Sequence, residues 1–244
     1  MPRDVTAPPS QSALETTNVD RYARAAGILY LLTLLGGIVG EVYIPSRLIV
    51  GSDAAATARN ILASESLFRI GFAAYLVEAV CDIAISWVWY VLLRPVNRNL
   101  ALLAAFFGLV STALYGTAET FFFAALVVLR GEYMTVFSPD QVNALALLMV
   151  KIFGRTAGIF MAMYGIATVV RGYLIYRSTF LPRPLGIVFM VAGTGFILRN
   201  AAVVLAPGYA SDVLLLPMFV ALASSATWFL AKGVDAARWN AAHR

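Results

Sequence analysis

Six apolar runs divide this chain, and each is long enough to cross a lipid bilayer. A helix needs about 20 predominantly apolar residues to span the hydrocarbon core. Backbone amide and carbonyl groups in lipid must be hydrogen-bonded within their own segment, so the runs predict α-helices. The runs cover residues 24–44, 68–93, 99–129, 142–176, 184–206 and 212–233. The sequence therefore predicts an all-α integral membrane bundle of six transmembrane helices.

The composition indicates that lipid is the solvent for most of the chain. Hydrophobic residues make up 61% of it and charged residues 13%, against about 45–50% and about 25% in soluble domains. The net charge of +5 does not indicate a nucleic-acid partner, because the arginines fall mainly in short connections. Cys81 is the only cysteine and His243 the only histidine. The sequence therefore predicts no cofactor, and it excludes zinc sites built on cysteine pairs.

The two ends of the chain are more polar than its centre. Residues 1–20 predict a disordered cytoplasmic tail, residues 21–234 the six-helix transmembrane domain, and residues 235–244 a second cytoplasmic tail. With both termini inside, ten Lys and Arg residues fall on the cytoplasmic side and four on the outer side. That asymmetry follows the positive-inside rule, so we expect the cytoplasmic (inner) membrane and an N-in, C-in topology.

Two outer segments carry helix-start signals. Asp53 is placed to cap a short interfacial helix, and residues 138–141 form a capping box with proline at the first helical position. From there the helical pattern continues to Arg177, about 57 Å at about 1.5 Å per residue, whereas the hydrocarbon core is about 30 Å thick. The long fourth helix is therefore expected to protrude outward, to tilt strongly, or to break near Gly154.

Carboxyl groups inside the apolar runs are the strongest functional signal. A charged side chain at bilayer depth costs about 2.5–3.5 kcal/mol on insertion scales, so such residues pair with one another or mark a functional site. Glu78 and Asp82 lie four residues apart on one face of the second helix. Counting about 1.5 Å per residue from the outer boundary puts Glu78 and Glu119 about 15 Å deep, with Asp82 a turn deeper and Glu41 near the rim.

The fourth and fifth helices bring bases to a similar depth. Arg155 and Arg199 come within a few ångström of the acids by the same count, and Lys151 lies a turn higher. We therefore predict that Glu78, Asp82 and Glu119 bind a solute or protons, and that these bases are their counter-charges. Tyr75 and Tyr115, each one turn from an acid, complete the predicted ligand or proton site. No metal site is predicted, because the neighbouring bases would oppose a metal cation.

Three functions remain open from the residues alone. The leading interpretation is a hydrated cavity, open outward, that binds a small polar solute or relays protons in transport. The second is a non-catalytic membrane partner that forms a homo-oligomer through Gly36 and Gly40 or through Gly154 and Gly158, since small residues four apart let helices approach closely. The third is a membrane-embedded lipid-modifying enzyme, for which the sequence offers no nucleophile motif. An ion network that only fixes helix register is the competing explanation for the charges.

Several long stretches carry a family resemblance. They are RYARAAGILYLLT, EVYIPSRLIVGSDAAATARNILASESLFRIGFAAYLVEAVCDIA, YVLLRPVNRNLALLAAFFGLV, FSPDQVNALALL and GYLIYRSTFLPRPLG, all within residues 21–234. On these stretches the chain resembles bacterial multi-pass membrane proteins grouped as domain of unknown function 4386. The resemblance implies an integral membrane protein of about six helices with no established activity. It also implies that Arg155, Arg171 and Arg199 replace uncharged residues of the usual pattern, whereas the acids lie in family-like segments.

Overall fold

The structure is a computed structural model, and it describes residues 11–131 and 135–243. Within them, six helices are long and apolar enough to cross a membrane. These spans are Val19–Leu48, Glu65–Leu93, Arg98–Arg130, Pro139–Arg177, Arg183–Leu205 and Asp212–Ala231. The described residues contain no β-strand. The prediction of an all-α bundle with six membrane-spanning helices is therefore confirmed.

The described part of the chain forms nine α-helices, numbered here in chain order. They are α1 Gln11–Gly37, α2 Ile44–Leu48, α3 Ala54–Ala63, α4 Glu65–Leu93, α5 Arg98–Arg130, α6 Pro139–Arg177, α7 Arg183–Leu205, α8 Leu216–Ala231 and α9 Ala236–His243. A π-helical turn, Ile38–Tyr43, joins α1 to α2, so both belong to the first span. Two 3₁₀ turns, Pro207–Tyr209 and Asp212–Leu215, connect α7 to α8.

The bundle has two ends, which we name after the short helices that lie there. At the α3 end, α3 precedes α4 and packs against α6. At the opposite α9 end, α9 packs against α1. Because short connections link successive spans, α1, α5 and α7 run towards the α3 end, and α4, α6 and α8 run back.

The helix starts follow the capping signals in the sequence. The Asp53 carboxylate accepts a backbone N–H at 2.8 Å and begins α3. Ser138 and Gln141 form the capping box, with Pro139 in the first turn of α6. That helix then runs for 39 residues, about 58 Å at about 1.5 Å per residue. Of the three alternatives for this long helix, a break near Gly154 is therefore wrong, because α6 continues as one α-helix through this glycine.

Two apolar clusters fill the bundle, one at each end. Trp89 is central to the α9-end cluster, where its ring centroid lies 5.4–5.5 Å from those of Phe229 and Phe189. Tyr75 and Phe122, 5.3 Å apart, are central to the α3-end cluster. Along their helices, several buried polar residues fall between buried members of the two clusters: Thr33, Ser111, Thr112 and Arg171.

Helices α6 and α7 pack backbone against backbone along a line of glycines. Gly158, Gly165 and Gly172 recur every seven residues on α6, and Gly186 and Gly193 do so on α7. A Cβ on Gly165 would lie 2.7 Å from Gly193 O, and one on Gly186 would lie 2.7 Å from Gly172 O. Small residues permit this close approach in membranes. The glycine line fixes α7 on α6, and the sequence analysis did not single it out.

Helices cover much of the two expected polar tails. Helix α1 begins at Gln11, so the second half of the tail predicted for residues 1–20 is helical, while residues 1–10 lie outside the described part. Helix α9 covers residues 236–243 of the other predicted tail. Trp239 explains the difference there, because its side chain is only 4% exposed and its Nε1 donates a hydrogen bond to Leu92 O at 2.9 Å. The apolar cluster at the α9 end thus orders this segment.

Candidate functional site

Tyr115 on α5 lies between two carboxyl groups of other helices. Its hydroxyl oxygen is 3.3 Å from Glu78 Oε2 on α4 and 3.4 Å from Glu41 Oε1 in the π-helical turn. The phenol is 2% exposed, and its ring lies 4.4 Å from that of Phe160 on α6. A hydroxyl has one proton to donate, so it serves one carboxylate at a time. Through its hydroxyl, Tyr115 therefore connects α5 to α4 and to the π-helical turn of the first span.

The π-helical turn of the first span is held in place by Tyr75. The Tyr75 hydroxyl donates a hydrogen bond to Gly40 O at 2.7 Å, and a Cβ on Gly40 would lie 2.9 Å from the Tyr75 ring. A π-helical turn inserts one extra residue into the helical register, and such turns are frequent at functional sites. The next residue, Glu41, follows this anchored glycine and faces Tyr115.

Gly36 and Gly40 face α4 of the same chain rather than a second copy. A Cβ on Gly36 would lie 3.6 Å from Ala74 O and 3.9 Å from Glu78 Oε2, while Gly40 abuts Tyr75. The missing side chains leave room for the Glu78 carboxyl. These two glycines therefore do not offer the oligomer contact that the sequence suggested.

Gly154 and Gly158, the other predicted oligomer contact, have different surroundings. Gly158 faces α7, where a Cβ would lie 3.0 Å from Asn200 Oδ1. Gly154 has open space where its Cβ would be. The pair therefore does not form one continuous face for a second copy.

Two more carboxyl groups lie one helical turn from Tyr115 or from Glu78. Glu119, which follows Tyr115 by four residues, is fully buried, and neither of its carboxyl oxygens has a hydrogen-bond partner among the described residues. Asp82 lies four residues after Glu78, and its carboxyl oxygen Oδ1 is also buried without a hydrogen-bond partner among the described residues. A buried acceptor without a donor costs about 1–3 kcal/mol. The described His, Cys, Asp and Glu side chains form no group of three or more arranged to hold a metal ion.

Three of these acids border a cavity among α1, α4, α6, α7 and α8. Its volume is about 80 Å³, which holds several water molecules or one small solute. Glu41, Glu78 and Asp82 form the acidic part of its wall, and we call it the acidic cavity. Apolar and aromatic side chains form much of the rest: Phe160, Tyr164, Phe196, Met218, Phe219 and Leu222. Carboxylates beside aromatic rings suit a small cation, because both attract positive charge.

The α9-end cluster fills the bundle between the acidic cavity and the α9 end. Trp89 Nε1 donates a hydrogen bond to the Tyr30 hydroxyl, and both side chains are buried. Phe189 and Phe229 pack on the same indole ring. Glu41, by contrast, is exposed in the half of the bundle towards the α3 end. The cavity therefore lies on the α3-end side of a packed apolar layer.

Arg171 is a buried base that the sequence analysis left outside the site. Its side chain is 1% exposed, and Nη2 donates to Ser86 Oγ at 3.0 Å, one turn from Asp82 on α4. Its guanidinium carbon lies 5.7 Å from the centroid of Tyr164. Gly108 leaves room for this group, since a Cβ there would lie 2.5 Å from Nη2. The contact with Ser86 places the Arg171 guanidinium about one helical turn from Asp82, but no ion pair joins these two side chains.

The three predicted counter-charges lie apart from the acids. Lys151, Arg155 and Arg199 line a second cavity of about 550 Å³, which we call the basic cavity. It shares no lining residue with the acidic cavity. Among the described residues, no ion pair joins these bases to the four acids, and Arg199 pairs instead with Asp212 at 2.8 Å. The structure thus brings the predicted acids and tyrosines together but does not bring the bases to them.

The six-span bundle defines a multi-pass membrane protein. Its sequence matches the family described as Domain of unknown function (DUF4386) over residues 25–233, so the chain belongs to this family, as the resemblance predicted. The chain is also similar to an uncharacterized protein of Archaeoglobus fulgidus, with 24% identity over 119 residues. That match covers 49% of this chain and 58% of the relative, so the chain spans little more than half of the relative's length. No solved structure matches the chain.

Proposed function

We propose that the acidic cavity binds a small cation or protons, and that the protein is a proton-linked or small-solute binding or transport protein. The observation that carries this proposal is the meeting of Glu41, Glu78 and Asp82 at one cavity without an ion-pair partner among the described residues. Carboxylates that share a site of low dielectric repel one another. Bound protons or a bound cation relieve that repulsion.

The packing around the cavity favours binding over a purely structural role. A structural ion network would pair each acid with a base, as Glu65 pairs with Arg69 and Arg130 at 2.7 and 2.8 Å. The four acids of the site have no such pairs among the described residues. Glu41 and Glu78 share one hydrogen-bond donor, the Tyr115 hydroxyl, which cannot satisfy both carboxylates at once.

The cavity's position is consistent with one state of an alternating-access cycle. The acidic cavity lies on the α3-end side of the α9-end cluster. A solute could pass from the cavity to the α9 end only if that cluster separated around Trp89. The buried contact between Trp89 and Tyr30 would then open and close with transport. A protein that only binds its solute would leave this contact intact.

We further propose that the α9 end faces the cytoplasm and that the protein lies in the inner membrane. Basic residues that flank the spans at this end support the orientation: Arg94, Arg98, Arg177, Arg183 and Lys232. The positive-inside rule favours such residues on the cytoplasmic side. In this orientation the acidic cavity lies in the outer half of the bundle.

Transport is tested in proteoliposomes that contain a trapped pH-sensitive dye. Gradients of guanidinium and tetramethylammonium are imposed, because both ions keep their charge and cross lipid poorly. We expect the native protein to produce a cation-dependent proton flux, and Glu78→Gln or Asp82→Asn to reduce its rate at least tenfold. Binding without transport is read in detergent as an increase in melting temperature on addition of the same cations, and it should be lost in the same variants.

Glu65→Gln is the matched control, since it removes a carboxylate from an ion pair outside the cavity. It should keep the native flux and the native response to cations. Size-exclusion profile and helix content show whether each variant folds. If the folded Glu78→Gln and Asp82→Asn proteins respond like the native protein, or if the native protein shows no response to cations or protons, the proposal is wrong.

A further inference from the structure

The basic cavity gathers three cationic side chains from two helices. Lys151 and Arg155 lie one turn apart on α6, and Arg199 reaches the same space from α7. Val203, Pro207 and Ala210 complete the wall at the end of α7 and in the connection that follows it. The volume of about 550 Å³ is far larger than that of the acidic cavity. The basic cavity therefore has both the space and the charge to hold a sizeable anionic group.

The protein itself neutralises only part of this charge. Arg199 donates to Asp212 Oδ1 through Nη2 at 2.8 Å and Nε at 3.1 Å, and to Asn200 Oδ1 through Nη1 at 3.1 Å. Lys151 and Arg155 are exposed, and neither forms an ion pair or a side-chain hydrogen bond with another described residue. Two positive charges thus face the cavity without a partner from the described part of the chain.

The wall of the basic cavity includes the last turns of α7 and the connection that follows the fifth span. Gly158 packs on Asn200, which sets Arg155 beside the last turns of α7. Helix α7 and the fifth span both end at Leu205, whose side chain is 83% exposed. Lys151 lies one turn further towards the α3 end. Lipid phosphates lie just outside the hydrocarbon core, where long Lys and Arg side chains near the ends of spans are attracted to anionic headgroups.

The geometry points to a phosphate group as the ligand of the basic cavity. A guanidinium presents a planar fork of N–H donors that matches two phosphate oxygens, and an ammonium adds a mobile point charge. We propose that Arg155 and Lys151 bind this phosphate, with Arg199 held at the site by Asp212. The phosphate is carried by an anionic phospholipid headgroup or is free phosphate. The site is separate from the acidic cavity and of opposite charge, so its ligand differs from the cation proposed there.

Two measurements on the full chain distinguish the sources of the phosphate. In the first, the protein in nanodiscs of equimolar phosphatidylglycerol and phosphatidylcholine is released into the mass spectrometer, and the retained lipids are counted. In the second, the protein in nanodiscs of phosphatidylcholine alone is dialysed to equilibrium against labelled inorganic phosphate. Retained phosphatidylglycerol identifies a lipid headgroup site, and bound inorganic phosphate identifies a site for free phosphate.

The variants test whether the basic cavity is responsible. We expect Lys151→Gln combined with Arg155→Gln to weaken the binding seen with the native protein at least tenfold, because both unpaired charges are lost. Arg155→Lys should cause a smaller loss, since it keeps the charge but removes the fork. Lys151 and Arg155 are exposed, so the fold should survive, which an unchanged melting temperature would verify.

A double control matches the change in net charge. Arg47 and Arg59 are exposed bases at the same end of the bundle but outside the basic cavity. Arg47→Gln combined with Arg59→Gln should leave the binding within twofold of the native value. The proposal is overturned if the native protein binds neither ligand, if the Lys151 and Arg155 pair can be replaced without loss, or if the control pair causes an equal loss.

Discussion

The hydroxyl of Tyr115 lies 3.3 Å from Glu78 Oε2, across the contact between α5 and α4. Glu41 of the first span competes for the same hydroxyl at 3.4 Å. Any proton or cation that binds one of these carboxyls changes which acceptor the phenol serves. The state of the acidic cavity is therefore linked to the packing of α1, α4 and α5.

Tyr115→Phe tests that link. The variant keeps the ring contact with Phe160 but removes the single donor that Glu41 and Glu78 share. We expect a loss of about 1 kcal/mol of stability, the usual value of one hydrogen bond, and a several-fold weaker response to cations in the proteoliposome assay. Tyr173→Phe, at a 45% exposed position on α6, should change neither quantity. Equal behaviour of the two variants would show that the Tyr115 hydroxyl does not support the site.

A double-mutant cycle tests the attraction between Arg171 and Asp82. Arg171→Gln removes a buried positive charge that bonds to Ser86, and we expect it to lower the free energy of unfolding by about 1–3 kcal/mol. Once that charge is gone, Asp82→Asn should cost less than in the native protein, because the attraction no longer favours the carboxylate. Unfolding in detergent should give a coupling energy of about 0.5–3 kcal/mol. Strictly additive effects would mean that the two groups do not interact.

Gly165→Ala tests the close contact of α6 and α7. The added methyl would lie 2.7 Å from Gly193 O, and a backbone oxygen cannot move aside cheaply. We expect a loss of about 1–3 kcal/mol, typical of overpacking, seen as a lower melting temperature in detergent. Gly116→Ala is the control, because no atom lies within 4 Å of its Cβ position. It should be neutral or stabilising by up to about 1 kcal/mol, since alanine favours helix more than glycine does.

Trp239→Ala tests whether the C-terminal segment is part of the fold. Truncation removes a buried ring and leaves Leu92 O without its indole donor, so we expect a loss of about 3–5 kcal/mol. Thermal unfolding and limited proteolysis of residues 236–243 measure it. Trp87→Ala, at a 52% exposed position, should cost much less. If Trp239→Ala were as stable as the native protein, residues 236–243 would be a tail that does not contribute to the fold.

The spans and the main helix starts were predictable because lipid and backbone chemistry impose them. Each span must supply enough apolar residues to cross the core, and the capping box at Ser138 and the cap at Asp53 act locally. The order of α9 was not predictable in this way. It depends on Trp239 meeting the carbonyl of Leu92, a residue distant in sequence.

Counting residues along a helix estimates the height of a side chain but does not give its direction around the helix. Phe153 on α6 faces Tyr75, with ring centroids 5.3 Å apart. Lys151 and Arg155 lie two residues to either side of Phe153, and at 3.6 residues per turn each is rotated by about 200°. They consequently project from the other side of α6, into the basic cavity. A similar predicted height therefore did not bring these bases to the acids.

The sequence does contain signals for the glycine line and for Arg171. Gly158, Gly165 and Gly172 repeat every seven residues, which marks one helix face as clearly as a four-residue spacing does. Arg171 lies well inside an apolar run, where a base needs a buried partner. That the partner is Ser86 depends on how α4 and α6 are placed, which sequence spacing alone does not determine.

Labelling by a hydrophobic carbodiimide tests the central claim most directly, since this reagent enters lipid and reacts with carboxyl groups that hold a proton. Mass spectrometry locates the modified residues, and Glu65, paired with Arg69 and Arg130, serves as the internal reference. We predict that Glu78 or Asp82 is labelled, that Glu65 is not, and that guanidinium slows the labelling by occupying the acidic cavity. Labelling of Glu78 and Asp82 no faster than that of Glu65, with no effect of guanidinium, would contradict the account.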